Sequence, residues 1–254
     1  MDISESVRLF CEDCMQGMKR IPDESIDMVL CDLPYGVLNR SNKSAGWDEV
    51  IPPDLLWKEY TRIVKSNGAI VLFAQGMFTA QLMMSNVKMW RYNLIWQKGG
   101  RCTGFLNAKR MPLREHEDIC VFYRRQPVYH PQMKQCAPHQ RNHSRGHTTS
   151  VRNRCYGEFA PMQQISPDLK YPKSVLNFPK EHDKFYHPTQ KPVALLEYLI
   201  RTYSSEGDTI LDNCMGSGST GVACINTQRR FIGFELNQDY YNIALQRCQD
   251  AASL

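Results

Sequence analysis

Residues 209–221 read TILDNCMGSGSTG, and the rest of the chain can be interpreted outward from this stretch. The apolar run Thr209–Leu211 predicts a short buried strand that ends at Asp212. A glycine-rich loop follows, and Ser219–Ile225 predicts the first turns of a helix. A strand, a glycine-rich loop and a helix in this order let backbone N–H groups approach a nucleotide closely. The stretch therefore predicts a nucleotide cofactor site in an α/β protein.

The glycine-rich loop also fits the pattern G-x-G-x-x-G of dinucleotide-binding proteins, with Glu235 placed 19 residues after Gly216 to bind a ribose. An NAD-dependent oxidoreductase is therefore one interpretation of this region. Asp212 argues against it, because an acid at the end of the strand would repel a pyrophosphate group. The same carboxylate would suit a cofactor that carries a cationic amino acid group.

Apolar runs that end at polar or glycine-rich turns alternate with helical patterns along the chain, which predicts an α/β fold with a mainly parallel sheet. Seven runs are predicted strands: Val7–Cys11, Ile26–Cys31, Ala69–Ala74, Tyr92–Trp96, Ile119–Tyr123, Thr209–Leu211 and Phe231–Phe234. The fourth and fifth are expected to lie antiparallel at one edge of the sheet. Helices are predicted at Pro53–Val64, Gly76–Ser85, after Pro192 with Thr189 as cap, at Ser219–Ile225 and after a cap at Asn237.

Positive charge is concentrated in one part of the chain. The net charge is +5, but Arg124–Lys180 holds ten basic and two acidic residues, so this segment carries +8 and the remainder −3. Helical and strand periodicity both fade over residues 124–186, although aromatic residues persist. We interpret 124–186 as an inserted basic region that binds a polyanion; a disordered loop or a solvated face is the alternative. The candidate contacts are Arg124, Arg125, Arg141, Arg145, Arg152 and Arg154.

A second motif lies near the start of the chain, where residues 32–36 read DLPYG directly after a predicted strand. This stretch resembles the catalytic tetrapeptide of amino-group DNA methyltransferases, whose usual form is Asp-Pro-Pro-Tyr. The loop in residues 209–221 resembles the loop with which that family holds S-adenosyl-L-methionine. The tetrapeptide precedes the cofactor loop, and this order resembles the circularly permuted β class of the family, of the N6-adenine or N4-cytosine type.

The resemblance covers about Val7–Tyr123 and His187–Cys248, so residues 1–123 and 187–254 are expected to form the catalytic domain. It implies a Rossmann-like class I methyltransferase fold with a mostly parallel seven-stranded sheet and an antiparallel edge. The insertion at 124–186 would be the target-recognition region. The segments at 96–98 and 116–119 resemble family strands that wall the base pocket, and Asn39–Val50 resembles a loop that covers the substrate.

Family resemblance also assigns roles to individual residues. Asp13 would contact the cofactor adenine, and Lys191, in the segment HPTQKP at 187–192, would lie near the methionine moiety. The full set of expected cofactor residues is Asp13, Lys191, Asp212, Gly216, Gly218, Thr220 and Glu235.

The tetrapeptide itself would supply the catalytic groups. Asp32 and the Leu33 carbonyl would accept hydrogen bonds from the target amine, Pro34 would fix the turn, and Tyr35 would stack on the base. Leu33 departs from the usual Pro. A first-position Asp favours adenine N6 by family analogy, and cytosine N4 remains the alternative.

Double-stranded DNA, with the target base flipped out, is the partner that the resemblance implies. Formation of a homodimer and the existence of a cognate restriction endonuclease are left open. A catalytically silent DNA-binding protein is a further alternative function. No apolar run approaches the ~18 residues of a membrane span, and the acidic start predicts no secretory signal. Ten cysteines without a secretory signal predict reduced thiols in the cytosol. We therefore expect a cytoplasmic, nucleoid-associated protein of bacterial or phage origin. The spacing of Cys136, His139, His143 and His147 is loose for zinc, so no metal is expected.

Overall fold

The computed structural model describes residues 2–4, 6–36, 49–137, 151–153, 155, 157–159, 168–180 and 190–253. The chain divides into two compact units. The first comprises residues 1–130 and 174–254, and the second comprises residues 131–173. Among the described helices, none combines the length and the apolar character that crossing a membrane requires. Most of Asn39–Val50 lies outside the described residues.

Thirteen strands occur among the described residues: β1 (Asp2–Ser4), β2 (Val7–Cys11), β3 (Ile26–Cys31), β4 (Val64–Ala74), β5 (Trp90–Gln97), β6 (His116–Phe122), β7 (Lys134–Gln135), β8 (Val151–Asn153), β9 (Gly157–Phe159), β10 (Leu169–Lys170), β11 (Val175–Asn177), β12 (Thr209–Asp212) and β13 (Arg230–Glu235). The first unit is built on a nine-stranded sheet of order β1-β2-β13-β12-β3-β4-β6-β5-β11. In the second unit, β7 pairs with β10 and β8 with β9, both antiparallel.

All seven predicted strands are present in the main sheet, five of them in one parallel block from β2 to β4. The two last strands of the chain, β12 and β13, lie between β2 and β3 from its start. This arrangement confirms the permuted order predicted from the two motifs. The predicted antiparallel pair β5 and β6 is also present.

Two strands of the sheet were not predicted. β1 pairs with β2 at one edge, and β11 pairs in parallel with β5 at the other. β11 falls within residues 124–186, where the sequence showed no sustained period. It is only three residues long and buries only Leu176, so the sequence pattern was too short to detect.

Six α-helices complete the described fold: α1 (Cys14–Gly17), α2 (Pro53–Ile63), α3 (Met77–Ser85), α4 (Val193–Tyr203), α5 (Ser219–Asn226) and α6 (Gln238–Ala252). The predicted cap of α6 is confirmed, since the Asn237 side chain accepts hydrogen bonds from the backbone N–H groups of Asp239 and Tyr240. Pro192 occupies the N-cap position of α4, which is a correction to the expected cap. Thr189 itself lies outside the described residues.

Apolar layers cover both faces of the sheet. Along β4, Val71 and Phe73 join the layer that contains buried residues of α4, α5 and α6. The alternating residues Ile70 and Leu72 join the opposite layer, together with α2 and α3. A strand buried on both faces reads as a continuous apolar run, which is why the central strands were recognisable from sequence. Ligands of such folds bind at the carboxyl ends of the strands, because the faces are occupied.

Candidate active site

Four acidic residues lie at the carboxyl ends of four neighbouring parallel strands. Asp13 follows β2, Glu235 ends β13, Asp212 ends β12 and Asp32 follows β3. All four line one cavity of about 680 Å³ within the first unit. The fold therefore brings together acids that are up to 222 positions apart in the sequence, from Asp13 to Glu235.

Asp212 is buried under the glycine-rich loop and organises it. One carboxylate oxygen, Oδ1, accepts a hydrogen bond from the Cys214 backbone N–H at 3.1 Å. The other, Oδ2, accepts from the Thr220 hydroxyl at 2.6 Å. Burial raises the pKa of Asp212 to about 6, although both hydrogen bonds oppose that shift. Thr220 thus holds the carboxylate that ends β12.

The loop glycines meet two separate geometric demands. Gly216 has φ of +51° and Gly218 has φ of +78°, a region that side chains disfavour. A Cβ atom on Gly218 would lie 2.8 Å from the Cβ atom of Ala244 in α6, so the loop packs directly on that helix. Only glycine satisfies both the conformation and the close contact at residue 218.

Glu235 and Asp13 also fix backbone around the cavity. Glu235 Oε2 accepts from the Gly216 N–H at 2.9 Å, and Oε1 accepts from the Asn237 N–H at 2.8 Å. Burial raises the pKa of Glu235. Asp13 Oδ1 accepts from the Gln16 N–H at 2.9 Å and caps α1. An ionised carboxylate offers about four lone-pair positions, so these contacts leave capacity for ligand hydroxyl or amino groups.

This part of the cavity fits a nucleoside that carries a cationic amino acid group. The acids provide acceptors for hydroxyl and amino donors, and the excess of carboxylates favours positive charge. The glycine-rich loop lets a ligand approach the backbone between β12 and α5. The residues present therefore fit S-adenosylmethionine better than a dinucleotide, whose pyrophosphate Asp212 would repel.

The tetrapeptide residues occupy the neighbouring part of the cavity. The Tyr35 hydroxyl donates to Asp32 Oδ1 at 2.8 Å, and the Lys191 ammonium donates to Asp32 Oδ2. The Tyr35 ring packs on Phe78 with ring centroids 4.8 Å apart. Burial raises the pKa of Asp32, Lys191 opposes this shift, and Glu117 adds to it.

Glu117 contacts two buried lysines, and one of them, Lys191, is also the lysine that contacts Asp32. Its Oε2 lies 3.3 Å from Lys191 Nζ, and its Oε1 lies 2.7 Å from Lys98 Nζ. Lys98 is 1% exposed and also lies over the Trp96 ring. Burial would raise the pKa of Glu117, but Lys191 and Lys98 outweigh it and lower that pKa. Likewise, Asp32 and Glu117 outweigh the effect of burial on Lys191 and raise its pKa.

The sequence did not anticipate this charge network of Asp32, Lys191, Glu117 and Lys98. The placement of Lys191 near the methionine moiety stays a prediction, and the structure shows that its ammonium group contacts the carboxylate of Asp32. Lys98 and Glu117 belong to the segments expected to wall the base pocket, but without individual roles. The available signal was a lysine two residues after one predicted strand and a glutamate two residues before the next.

The predicted DNA contacts are only partly described. The Arg124 guanidinium donates to the Val64 carbonyl and lies 3.6 Å from Glu24, so this side chain is engaged within the first unit. Arg125 follows it, and its backbone N–H donates to Ser66. Of the other four predicted contacts, Arg152 is described only in its backbone. The remaining three lie outside the described residues: Arg141, Arg145 and Arg154.

The zinc cluster considered from sequence is likewise largely outside the description. Cys136 is described, whereas His139, His143 and His147 are not. Within the described part of the chain, no group of three or more His, Cys, Asp or Glu side chains is placed to hold a metal ion.

Comparison with known proteins connects this geometry to a family. The profile of the N6/N4 DNA methylases, described as "DNA methylase", matches residues 26–246. The DNA adenine methyltransferase YhdJ of Escherichia coli (strain K12) is 27% identical over 260 residues, which cover 98% of this chain and 85% of that protein.

Two solved structures share the fold. M1.HpyAVI in complex with SAM has a TM-score of 0.63 at 22% identity, covering 95% of this chain and 98% of that chain. The cytosine-N4-specific PvuII DNA methyltransferase has a TM-score of 0.66 at 14% identity, and the alignment covers 98% of this chain and 92% of that chain. The oxidoreductase interpretation of the glycine-rich loop is therefore wrong, and the chain belongs to the N6/N4 DNA methylase family of S-adenosylmethionine-dependent enzymes.

Proposed function

We propose that this DNA methylase transfers a methyl group from S-adenosylmethionine to the N6 amine of adenine at a specific site in duplex DNA. One observation carries the proposal: Asp32 and the glycine-rich loop line the same cavity, from the adjacent strands β3 and β12. A methyl donor at the loop and an amine at Asp32 would then be neighbours. The choice of adenine rests on the first-position Asp and on family analogy.

The cofactor would lie along the strand ends. When bound, S-adenosylmethionine supplies the electrophilic methyl group. Glu235 would accept hydrogen bonds from ribose hydroxyls, and Asp13 would accept from the adenine amine. Asp212, tied to Thr220, would face the cationic amino acid group. The bends at Gly216 and Gly218 would keep the loop backbone close to the ligand.

Asp32 would activate the amine. An exocyclic amine is a poor nucleophile, because its lone pair is delocalised into the ring. Two acceptors, the Asp32 carboxylate and the Leu33 carbonyl, would draw the amine toward tetrahedral geometry and free the lone pair for attack. The amine carries an extra proton after it has attacked, and Asp32 is the acceptor placed to receive it. Lys191 would keep Asp32 ionised before the step.

Leu33 provides an alternative to the proline usual at this position. Its side chain is buried in the same apolar layer as Cys31 and Leu56. A buried leucine anchors the turn through packing, whereas proline would restrict φ directly. We therefore expect the Leu33 carbonyl to be held in place for the amine.

Sequence reading would fall to residues 124–186. The charge of +8 between Arg124 and Lys180 suits phosphate contacts, which release counterions and make affinity depend on salt. Duplex DNA is thus the proposed partner and the cytoplasm the proposed location. A homodimer and a cognate restriction endonuclease stay predictions from the family resemblance.

Nucleoside analysis tests the proposed reaction. DNA from a methylation-deficient host that expresses the chain is hydrolysed to nucleosides and analysed by mass spectrometry. N6-methyladenine is the expected product. N4-methylcytosine would replace the adenine assignment with the cytosine alternative, for which the fold of the PvuII enzyme provides a precedent. The absence of both methylated nucleosides, when the protein is folded and binds S-adenosylmethionine, would contradict the proposed methyl transfer.

A further inference from the structure

The loop between β5 and β6, residues 101–114, exposes an unusual set of apolar side chains. Phe105 is 75% exposed and Leu106 85%, while Met111 and Leu113 are 54% and 45% exposed. We call residues 101–114 the β5–β6 knob. Single exposed apolar residues are common, whereas four in one loop are more than scattered exposure explains and favour an interaction site.

The knob has a defined backbone. Thr103 and Arg114 exchange backbone hydrogen bonds of 2.8 and 3.0 Å, which close its base. The tip is a 3₁₀ turn, Phe105–Asn107, entered from Gly104 at φ of +89°. The Asn107 N–H donates to the Gly104 carbonyl at 2.9 Å, so the turn presents Phe105 and Leu106 outward in a fixed conformation.

Charge identifies the kind of partner. The knob carries Arg101, Lys109, Arg110 and Arg114, and the sequence from 99 to 114 contains no acid. A loop that combines an apolar tip with four cations and no acid fits a polyanion that also offers stacked rings, which is the composition of duplex DNA. A second copy of the chain fits less well, because it would bring the same four cations against the first set.

Position links the knob to the active site. Thr103 and Arg114, at the base of the knob, line the cavity that also contains Asp32 and Tyr35. A duplex whose target base occupies this cavity would therefore pass close to the knob. A flipped base leaves a gap in the stack, and apolar side chains are known to fill such gaps or separate base steps.

We propose that the β5–β6 knob is a wedge for duplex DNA, with Phe105 and Leu106 inserted where the target base leaves the stack and Lys109 and Arg110 on neighbouring phosphates. The inference rests on the proposed function, because it requires methyl transfer to a base in a duplex. Its specific consequence is that the wedge assists only when the target base is paired and stacked. A mispaired target base is already partly released, so the wedge matters less there.

The test compares paired and mispaired substrates. Two oligonucleotide duplexes carry the methylation site mapped by sequencing, one with its normal pair and one with a mismatch opposite the target base. We expect F105A/L106A to lower kcat/KM roughly tenfold or more on the paired duplex, and by less than about twofold on the mispaired duplex. The matched control M84A/V87A removes two exposed apolar side chains of α3 and the turn after it, which precede β5 whereas the knob follows the other end of that strand, and it should change neither value.

Three results would overturn the wedge. Equal rates of F105A/L106A and wild type on the paired duplex would remove any role for the tip. An equal loss on both duplexes would indicate a structural role. A dimer of the wild type that becomes a monomer in F105A/L106A, measured by sedimentation, would make the knob a protein interface. Failure of the proposed function would be recognised earlier, because sequencing would then find no modified site to build into either duplex.

Discussion

Replacing Lys191 by methionine should move the acid limb of the pH–activity profile to higher pH. Lys191 contacts both Asp32 and Glu117 and is 7% exposed. At 3.3 Å and an effective dielectric constant of about 20, the attraction between Lys191 and Glu117 alone is about 5 kcal/mol. Removing one partner from a buried ionic group typically costs about 3–5 kcal/mol, because the remaining charge stays buried without compensation.

This loss should appear as protonation of Asp32. Its pKa is already raised by burial, and Lys191 is the main group that opposes the shift. Without that cation the ionised form is less favourable, so the pKa rises further and activity is lost earlier as the pH falls. Each pKa unit corresponds to about 1.4 kcal/mol. If part of the cost of about 3–5 kcal/mol for removing the buried partner acts on Asp32, the acid limb should move up by about one to two pH units.

The assay measures initial rates of tritium transfer from S-adenosylmethionine to DNA between about pH 5.5 and 9, at saturating cofactor. Glu117→Gln provides the opposite perturbation, because Glu117 adds to the raised pKa of Asp32. Its acid limb should move to lower pH. Lys65→Met, which removes a surface ion pair with Asp27 at 2.6 Å, is the matched control and should leave the profile unchanged. Superimposable acid limbs for wild type, K191M and E117Q would show that neither Lys191 nor Glu117 controls the pKa of Asp32.

Three further outcomes follow from the described contacts. Glu235→Ala removes the acceptor for the Gly216 and Asn237 N–H groups as well as the proposed ribose contact. The Kd for the cofactor, measured by calorimetry, should therefore rise roughly tenfold or more. An unchanged Kd would exclude Glu235 from the site. Gly218→Ala should lower the unfolding free energy by about 2 kcal/mol or more in chemical denaturation, since its Cβ meets Ala244 at 2.8 Å; unaltered stability would show that the loop can relax. DNA affinity should fall with salt, with a log–log slope of about −0.9 for each phosphate contact, and a salt-independent isotherm would contradict the role of the basic region.

Much of the fold was predictable because its central strands are buried on both faces. Such strands appear as uninterrupted apolar runs, and two of them lead to acids that line the cavity, Asp32 directly after β3 and Asp212 at the end of β12. The permutation followed from the order of two motifs. In contrast, β11 is three residues long and acquires its place only by pairing with β5, so no local pattern marked it.

Neither the charge network nor the β5–β6 knob could be predicted from the sequence, and the physical reason differs between the two. Glu117 meets Lys98 because β5 and β6 run antiparallel, and it meets Lys191 because the segment before α4 reaches the same cavity. Sequence shows the three charges but not their distances. Phe105 and Leu106 look like ordinary core residues in the sequence, and only the folded chain shows that both are exposed.

Methyl transfer at Asp32 can be examined by single-molecule sequencing of DNA modified in the cell. Plasmid DNA would be taken from a methylation-deficient host that expresses the wild-type chain or Asp32→Ala. We expect N6-methyladenine in one short sequence motif with the wild type and none with the variant, while the purified variant still binds S-adenosylmethionine. Modification that persists with Asp32→Ala would contradict the assigned mechanism, and unmodified DNA from both hosts would contradict the proposed reaction itself.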